Sequence, residues 1–205
     1  MVGILKYGVG NIFSLSNIYN EKKIPHKFIS SVDDYVGVTH VILPGVGSFD
    51  YAMEMLDNSG LKDPLIELVK SKKIFLLGIC VGFQMLFQNS EEGHVKGLSL
   101  IKADIKKLNK ENEIIPHMGW NNVEYDSDLS DGLFENIVKS SKFYFLHSYY
   151  LPFSNDLNNH SKALTYYGEN FISMILSENI VGVQFHPEKS HIQGVNFLIN
   201  FSNLK

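Results

Sequence analysis

Short apolar runs that end in glycine-rich or polar turns recur along the first half of the chain: VGILK before YGVGN, THVILP before GVGSF, and IFLLG before ICVGFQMLFQ. Continuous apolar runs of about four to eight residues have the length of strands buried on both faces. The segments between them change period. FSLSNIYNEK, from Phe13, and LKDPLIELVK, from Leu61 to Lys70, carry apolar residues at helical spacing, as ICVGFQMLFQ also does. Strand, turn and helix in repetition predict an α/β fold with a mixed, mostly parallel central sheet flanked by helices. The second half reads as successive strands in FYFLHSYYL, KALTYY, NFISMIL and NIVGVQFHP, followed by a last helix in GVNFLINF.

Composition narrows the possibilities. With 205 residues, 44% of them hydrophobic, the chain is expected to form one domain over residues 1–205. Its net charge is -4, and every basic residue is a lysine. Without arginine forks or a basic cluster, nucleic acid is not an expected partner. The lysine-rich KADIKKLNK, residues 102–110, alternates with apolar positions and reads as the wet face of a strand. A single cysteine forms no internal disulfide, and the start MVGILKYGVG lacks the pattern of an export signal, so a cytoplasmic location is expected. No apolar run approaches the roughly 20 residues needed to span a bilayer, and no membrane association is expected.

The one cysteine, Cys80, falls where the run IFLLG gives way to a helical pattern, with Gly78 two positions before it and Gly82 two after. Ligands of parallel sheets bind beyond the carboxyl ends of the strands, in these turns. Small flanking residues permit a sharp strand-to-helix elbow that lifts the thiol into the open. A helix starting just beyond aims its free N–H groups at the sulfur and favours the thiolate. The N–H of Val81 is then placed to hold a developing oxyanion. The same position also suits a buried structural cysteine.

A thiol nucleophile needs a base and an orienting group. GVQFHPEKS carries both, His186 and Glu188 flanking Pro187, which biases the histidine toward extended backbone. His186, Glu188 and His191 as metal ligands fit less well, because the spacing is not that of a zinc helix and no further cysteines exist. No metal and no cofactor are expected. His26, His40, His94, His117, His147 and His160 are singletons that suit structural roles. LPGVGSF, residues 43–49, places Gly45 and Gly47 where backbone N–H groups can approach a ligand, although it lacks the lysine and hydroxyl of a nucleotide cradle. YGVGN, residues 7–11, lacks the third glycine of a dinucleotide loop.

PGVGSF, LLGICVGFQMLF and GVQFHPEKS, in that order, resemble the class I glutamine amidotransferases, with their flavodoxin-like fold and Cys-His-Glu triad. YGVGN with SLSNIY, SEEG at 90–93, IPHMGWN at 115–121 and YFLHSYY at 144–150 narrow the likeness, over essentially the full length, to the glutaminase subunits of imidazole glycerol phosphate synthase. The resemblance implies that Cys80 attacks the side-chain amide of glutamine, with His186 as base and Glu188 as its orienter. It implies Val81 with Val46 or Gly47 as oxyanion donors, and Gly45, Gln84, Ser148 and Tyr149 as glutamine-holding positions. It further implies a (β/α)8 cyclase partner that receives ammonia, docked on Asn11, His117, Met118, Trp120, Asn121 and Lys189. Two departures bear on the partner: Lys6 stands where the family usually has aspartate, and His191 where a serine is common. They leave open a related glutaminase serving another synthase, for instance one that amidinates a surface sugar. A thiol peptidase or a non-catalytic scaffold on the same fold are the rivals of a different class.

Overall fold

The computed structural model describes residues 1–108, 113–125, 129, 132–154, 157 and 159–205. The first half alternates as its hydrophobic pattern predicts: β1 (Val2–Leu5), α1 (Ile12–Glu21), β2 (His26–Ile29), β3 (His40–Gly45), α2 (Phe49–Asn58), α3 (Lys62–Lys70), β4 (Phe75–Cys80) and the single-turn α4 (Val81–Gln84). The second half is strand-rich: β5 (Asn89–Ser90), β6 (Asp104–Lys107), β7 (His117–Asn122), β8 (Glu124–Tyr125), β9 (Lys142–His147), β10 (Tyr149–Pro152), β11 (Ser161–Tyr167), β12 (Glu169–Ser177) and β13 (Ile180–Val183). It closes with α5 (His191–Ser202).

The strands β2-β1-β3-β4-β13 lie side by side and all run parallel. Beyond β13 the sheet continues through β12, β10, β6 and β5, where the β13-β12, β12-β10 and β10-β6 pairs are antiparallel. β11 pairs with β12 and with β8, and β7 with β9 forms a separate two-stranded antiparallel sheet. The parallel strands β1, β3 and β13 are buried at every residue, as strands covered on both faces must be. α1 presents Ile12, Leu15, Ser16 and Tyr19 to the core, one stripe at helical spacing. Fully burying a side chain such as Phe49, Phe83 or Phe185 contributes about 1.5–3 kcal/mol each.

Register fixes where the chemistry-bearing residues fall. β3 and β4 pair from His40 opposite Phe75 to Gly45 opposite Cys80, and β13 pairs with β4 from Ile180 opposite Leu76 to Val183 opposite Ile79. Three adjacent parallel strands therefore finish level, so the loop after Gly45, the turn at Cys80 and the segment leading to His186 share one edge.

The helix expected through ICVGFQMLFQ stops after one turn. Leu86 and Phe87 donate to Phe83 O and Gln84 O, tightening the chain, and the carbonyls of residues 85–88 accept instead from the N–H groups of residues 97–101. Those tertiary bonds satisfy the backbone that a longer helix would have used. The lysine-rich segment behaves as its alternation predicts over 104–107, where Ile105 is buried and Asp104, Lys106 and Lys107 are exposed; residues 109 and 110 lie outside the described residues. Among the described residues no helix is long and apolar enough to cross a membrane.

Candidate active site

Cys80 is the last residue of β4, and its backbone adopts φ 54°, ψ -111°. For a residue with a Cβ this conformation costs on the order of 1–3 kcal/mol and persists only where the surroundings impose it. The surroundings do so through close backbone crossings. A Cβ on Gly82 would lie 2.0 Å from Leu43 O, and one on Gly78 would lie 2.6 Å from Gly82 O. Only glycines let α4 fold back over the strand ends, and the cysteine so held is buried, its Sγ 3.8 Å from Leu146 O.

His186 follows β13 by three residues. Its N–H donates to Tyr144 O at 2.8 Å, and its carbonyl accepts from the Ser190 hydroxyl, which in turn accepts from the Tyr144 N–H. Pro187 opens a short 3₁₀ turn that brings Glu188 back, so that the imidazole Nδ1 lies 2.9 Å from Glu188 Oε1, with both side chains 3% exposed. A carboxylate only accepts, so Nδ1 carries the proton and Nε2 remains for the sulfur. Burial pulls the imidazole pKa down, but the charge on Cys80 and its hydrogen bond, then Glu188, outweigh it and push the imidazole up to about 10.

These residues open on a cavity of about 320 Å³ lined by Cys80, Val81 and His186 together with Val46, Gly47, Gln84, Ser148, Tyr149 and Lys189. Gly47 has φ 86° and space around its α-carbon, whereas Gly45 is packed beneath Val81 and Gly82 rather than facing the cavity. Gln84 is buried, and its Nε2 donates to Tyr149 O at 3.0 Å and to Gln184 Oε1 at 3.1 Å. Both amide hydrogens are thereby used, and Oε1 is left without a protein partner.

Four lining residues escaped the sequence reading: Glu92, Pro116, Leu146 and His147. Glu92 Oε2 accepts the Phe49 N–H at 2.9 Å, and burial raises its carboxyl above the usual range. A fifth residue, Gln184, sits under the site with Nε2 3.8 Å from Cys80 Sγ. It had a signal: a lone polar residue inside the apolar run VGVQF.

Of the residues expected to face a partner, Asn11 and Lys189 are exposed, Met118 and Trp120 are 65% and 44% exposed, Asn121 is half-buried, and His117 is buried. Lys189 Nζ lies 5.7 Å from the Tyr144 ring centroid, and His191 stacks on Trp120 with centroids 4.8 Å apart. Lys6 is exposed at the end of β1. Among the described residues no cluster of three or more metal-ligating side chains occurs.

A buried, carboxylate-paired imidazole facing a thiol on a strained turn is equipped for acyl transfer from a carbonyl substrate. Similarity to known proteins points the same way. Residues 17–203 match the family described as glutamine amidotransferase class-I. The chain is 43% identical, over the whole of both chains, to the imidazole glycerol phosphate synthase subunit HisH of Leptospira interrogans. It is 38% identical, again over the whole of both, to the subunit HisH 2 of Pseudomonas aeruginosa. A crystal structure of a glutamine amidotransferase shares the fold with a TM-score of 0.74 at 16% identity, covering 99% of each chain. PurLQS from Thermotoga maritima does so with a TM-score of 0.69 at 18% identity, over 98% of this chain and 97% of that one. Over nearly its whole length, therefore, the chain belongs to the class-I glutamine amidotransferases, alongside the HisH subunits of imidazole glycerol phosphate synthase.

Proposed function

We propose that this chain is a glutaminase that releases ammonia from glutamine for a cyclase partner making imidazole glycerol phosphate. That reading is supported above all by Cys80 on its positive-φ turn in the wall of a cavity that His186, paired with Glu188 behind it, also lines. At neutral pH His186 holds a proton beside the sulfur. The sulfur attacks the side-chain amide carbon of glutamine, forming a C–S bond, and His186 passes its proton to the departing nitrogen as the C–N bond breaks. Ammonia leaves, and a glutamyl thioester remains. Water, deprotonated by the now neutral His186, cleaves the C–S bond of that thioester to give glutamate, and the sulfur leaves as thiolate beside the reprotonated His186. Glu188 holds the imidazole in the required tautomer throughout.

The oxyanion is assigned to the Val81 N–H and to an N–H of the Val46–Gly47 segment, the loss of one such donor typically costing about 100- to 1,000-fold in rate. Gln84, Ser148 and Tyr149 form one wall of the cavity, against which the bound glutamine is held. Met118 and Trp120 supply exposed apolar side chains for docking the (β/α)8 cyclase, and Asn11, Asn121 and Lys189 supply polar ones. No cofactor takes part in these steps.

Glutamate release from glutamine, measured for wild type and Cys80→Ala alone and then with the cyclase and its phosphorylated ribulosyl-carboxamide substrate, tests this. Wild type should be strongly stimulated. The variant should fall by on the order of 10⁴-fold or more, while added ammonium restores cyclised product. Equal release by both would overturn the assignment of Cys80. A second reading, a glutaminase serving a sugar-modifying synthase, draws support from exposed Lys6 on the side of β1 where the family usually carries aspartate. Exclusive binding to such a synthase would establish it over the first.

A further inference from the structure

β7 and β9 place His117 opposite His147, with Nδ1 of the first 2.9 Å from Nε2 of the second. A neutral imidazole donates at one nitrogen and accepts at the other, so the pair alone has no direction. Its two ends supply one. At the inner end His147 Nδ1 lies 2.9 Å from Tyr149 O, which only accepts, so Nδ1 bears the proton and Nε2 is the acceptor. At the outer end Asn121 Oδ1 accepts the Asn122 N–H at 2.8 Å, while Asn121 Nδ2 donates to Tyr166 O at 2.9 Å. The remaining Nδ2 hydrogen faces His117 Nε2 at 3.2 Å, so that nitrogen accepts and His117 Nδ1 donates. Both ends impose the same order.

The pair is shielded from water: His117 is 3% and His147 6% exposed, and the His117 ring stacks on Tyr167 and Phe145 with centroids 4.0 and 4.8 Å apart. Burial pushes His117 down to about 4. Burial and then the neighbouring His117 and His186 charges push His147 down to about 3, against the hydrogen bond to Tyr149. Beyond the pair, the second lone pair of Tyr149 O accepts from Gln84 Nε2. Gln84 holds Gln184, and Gln184 Nε2 reaches Cys80 Sγ. A continuous run of hydrogen bonds thus joins a strand with exposed apolar side chains to the sulfur.

Resting on the glutaminase function above, we propose that His117 and His147 are positioning residues: two neutral, Nδ1-protonated imidazoles that set the Tyr149 carbonyl, and through it Gln84 and Gln184, from the placement of β7. A partner that moves β7 therefore moves the glutamine-binding wall.

Two measurements on the full chain with its cyclase test this. Long-range ¹H–¹⁵N spectra of histidine-labelled protein should show both rings protonated at Nδ1; protonation of either at Nε2 overturns the proposal whether or not the enzyme turns over. For glutamate release, His117→Phe retains the stacked ring but removes donor and acceptor, whereas His117→Asn keeps an N–H near the Nδ1 position. The Phe variant should raise KM for glutamine about tenfold, the scale of one net hydrogen bond, with a smaller change in kcat, and Asn should restore KM to within about threefold of wild type. A purely structural role would lower both melting midpoints and leave KM alone. An unchanged KM in the Phe variant, or an equal rise in both, overturns the relay. A wild type silent with its partner overturns the glutaminase function instead.

Discussion

β4 and β7 are both six residues long, and they divide the labour of the molecule. β4 is clamped between parallel neighbours and buried over nearly its whole length. β7 has a single partner and alternates, with His117 and Asn121 turned inward while Met118, Trp120 and Asn122 face out. A strand locked on both sides can hold a strained residue such as Cys80 in place. A strand locked on one side spends only alternate positions on the fold, and its other positions are free to meet something else.

The contrast can be broken from the β4 side with the largest effect. Gly82→Ala places a methyl 2.0 Å from Leu43 O, backbone that cannot step aside. A loss of about 3 kcal/mol or more in unfolding free energy is expected by denaturant titration, together with loss of glutamate release. On the β7 side, Trp120→Ala should weaken cyclase binding by about 2 kcal/mol in calorimetry while changing unfolding by less than about 1 kcal/mol. Comparable losses in both quantities would show β7 to be a folding strand like β4.

Acid acts on the histidines of β7 and β9 with a smaller effect. The usual histidine pKa is near 6.5. His117 and His147 titrate in the folded chain at about 4 and 3, so between 6.5 and 4 the unfolded chain binds protons that the folded chain refuses, and stability falls as pH drops through that window. His186 works the other way: raised to about 10, it contributes fully below 6.5, and that contribution is lost as pH climbs through 10. His117→Phe, which cannot take the proton, should flatten the acid limb of melting midpoint against pH and leave the alkaline limb as it was. The smallest expected effect is at Lys6, exposed outside both strands. Lys6→Asp should alter partner affinity by about 1 kcal/mol or less, in a salt-dependent manner, visible mainly in the association rate.

β1, β3, β4 and β13 were legible because strands buried on both faces are written as unbroken apolar runs, and Cys80, His186 and Glu188 because each follows such a run. The end of α4 was not legible. ICVGFQMLFQ has helical periodicity throughout, and only the carbonyl acceptors offered to residues 97–101 stop it at Gln84. His117 and His147 read as singletons for a related reason. They are 30 residues apart, and antiparallel pairing that no local pattern announces makes them neighbours. The five residues that escaped notice at the site, Glu92, Pro116, Leu146, His147 and Gln184, reach it from strands and loops whose meeting is a matter of topology rather than spacing.

The left-handed backbone at Cys80 also says something about descent. Every amino acid but glycine is penalised there, and under the function proposed above cysteine is held by its chemistry alone. Once a copy of such a gene is released from making ammonia, glycine becomes the residue that the surrounding fold prefers at that turn. A sequence matching this one on both sides, with glycine at position 80, would therefore be the mark of a lineage that kept the scaffold and retired the enzyme.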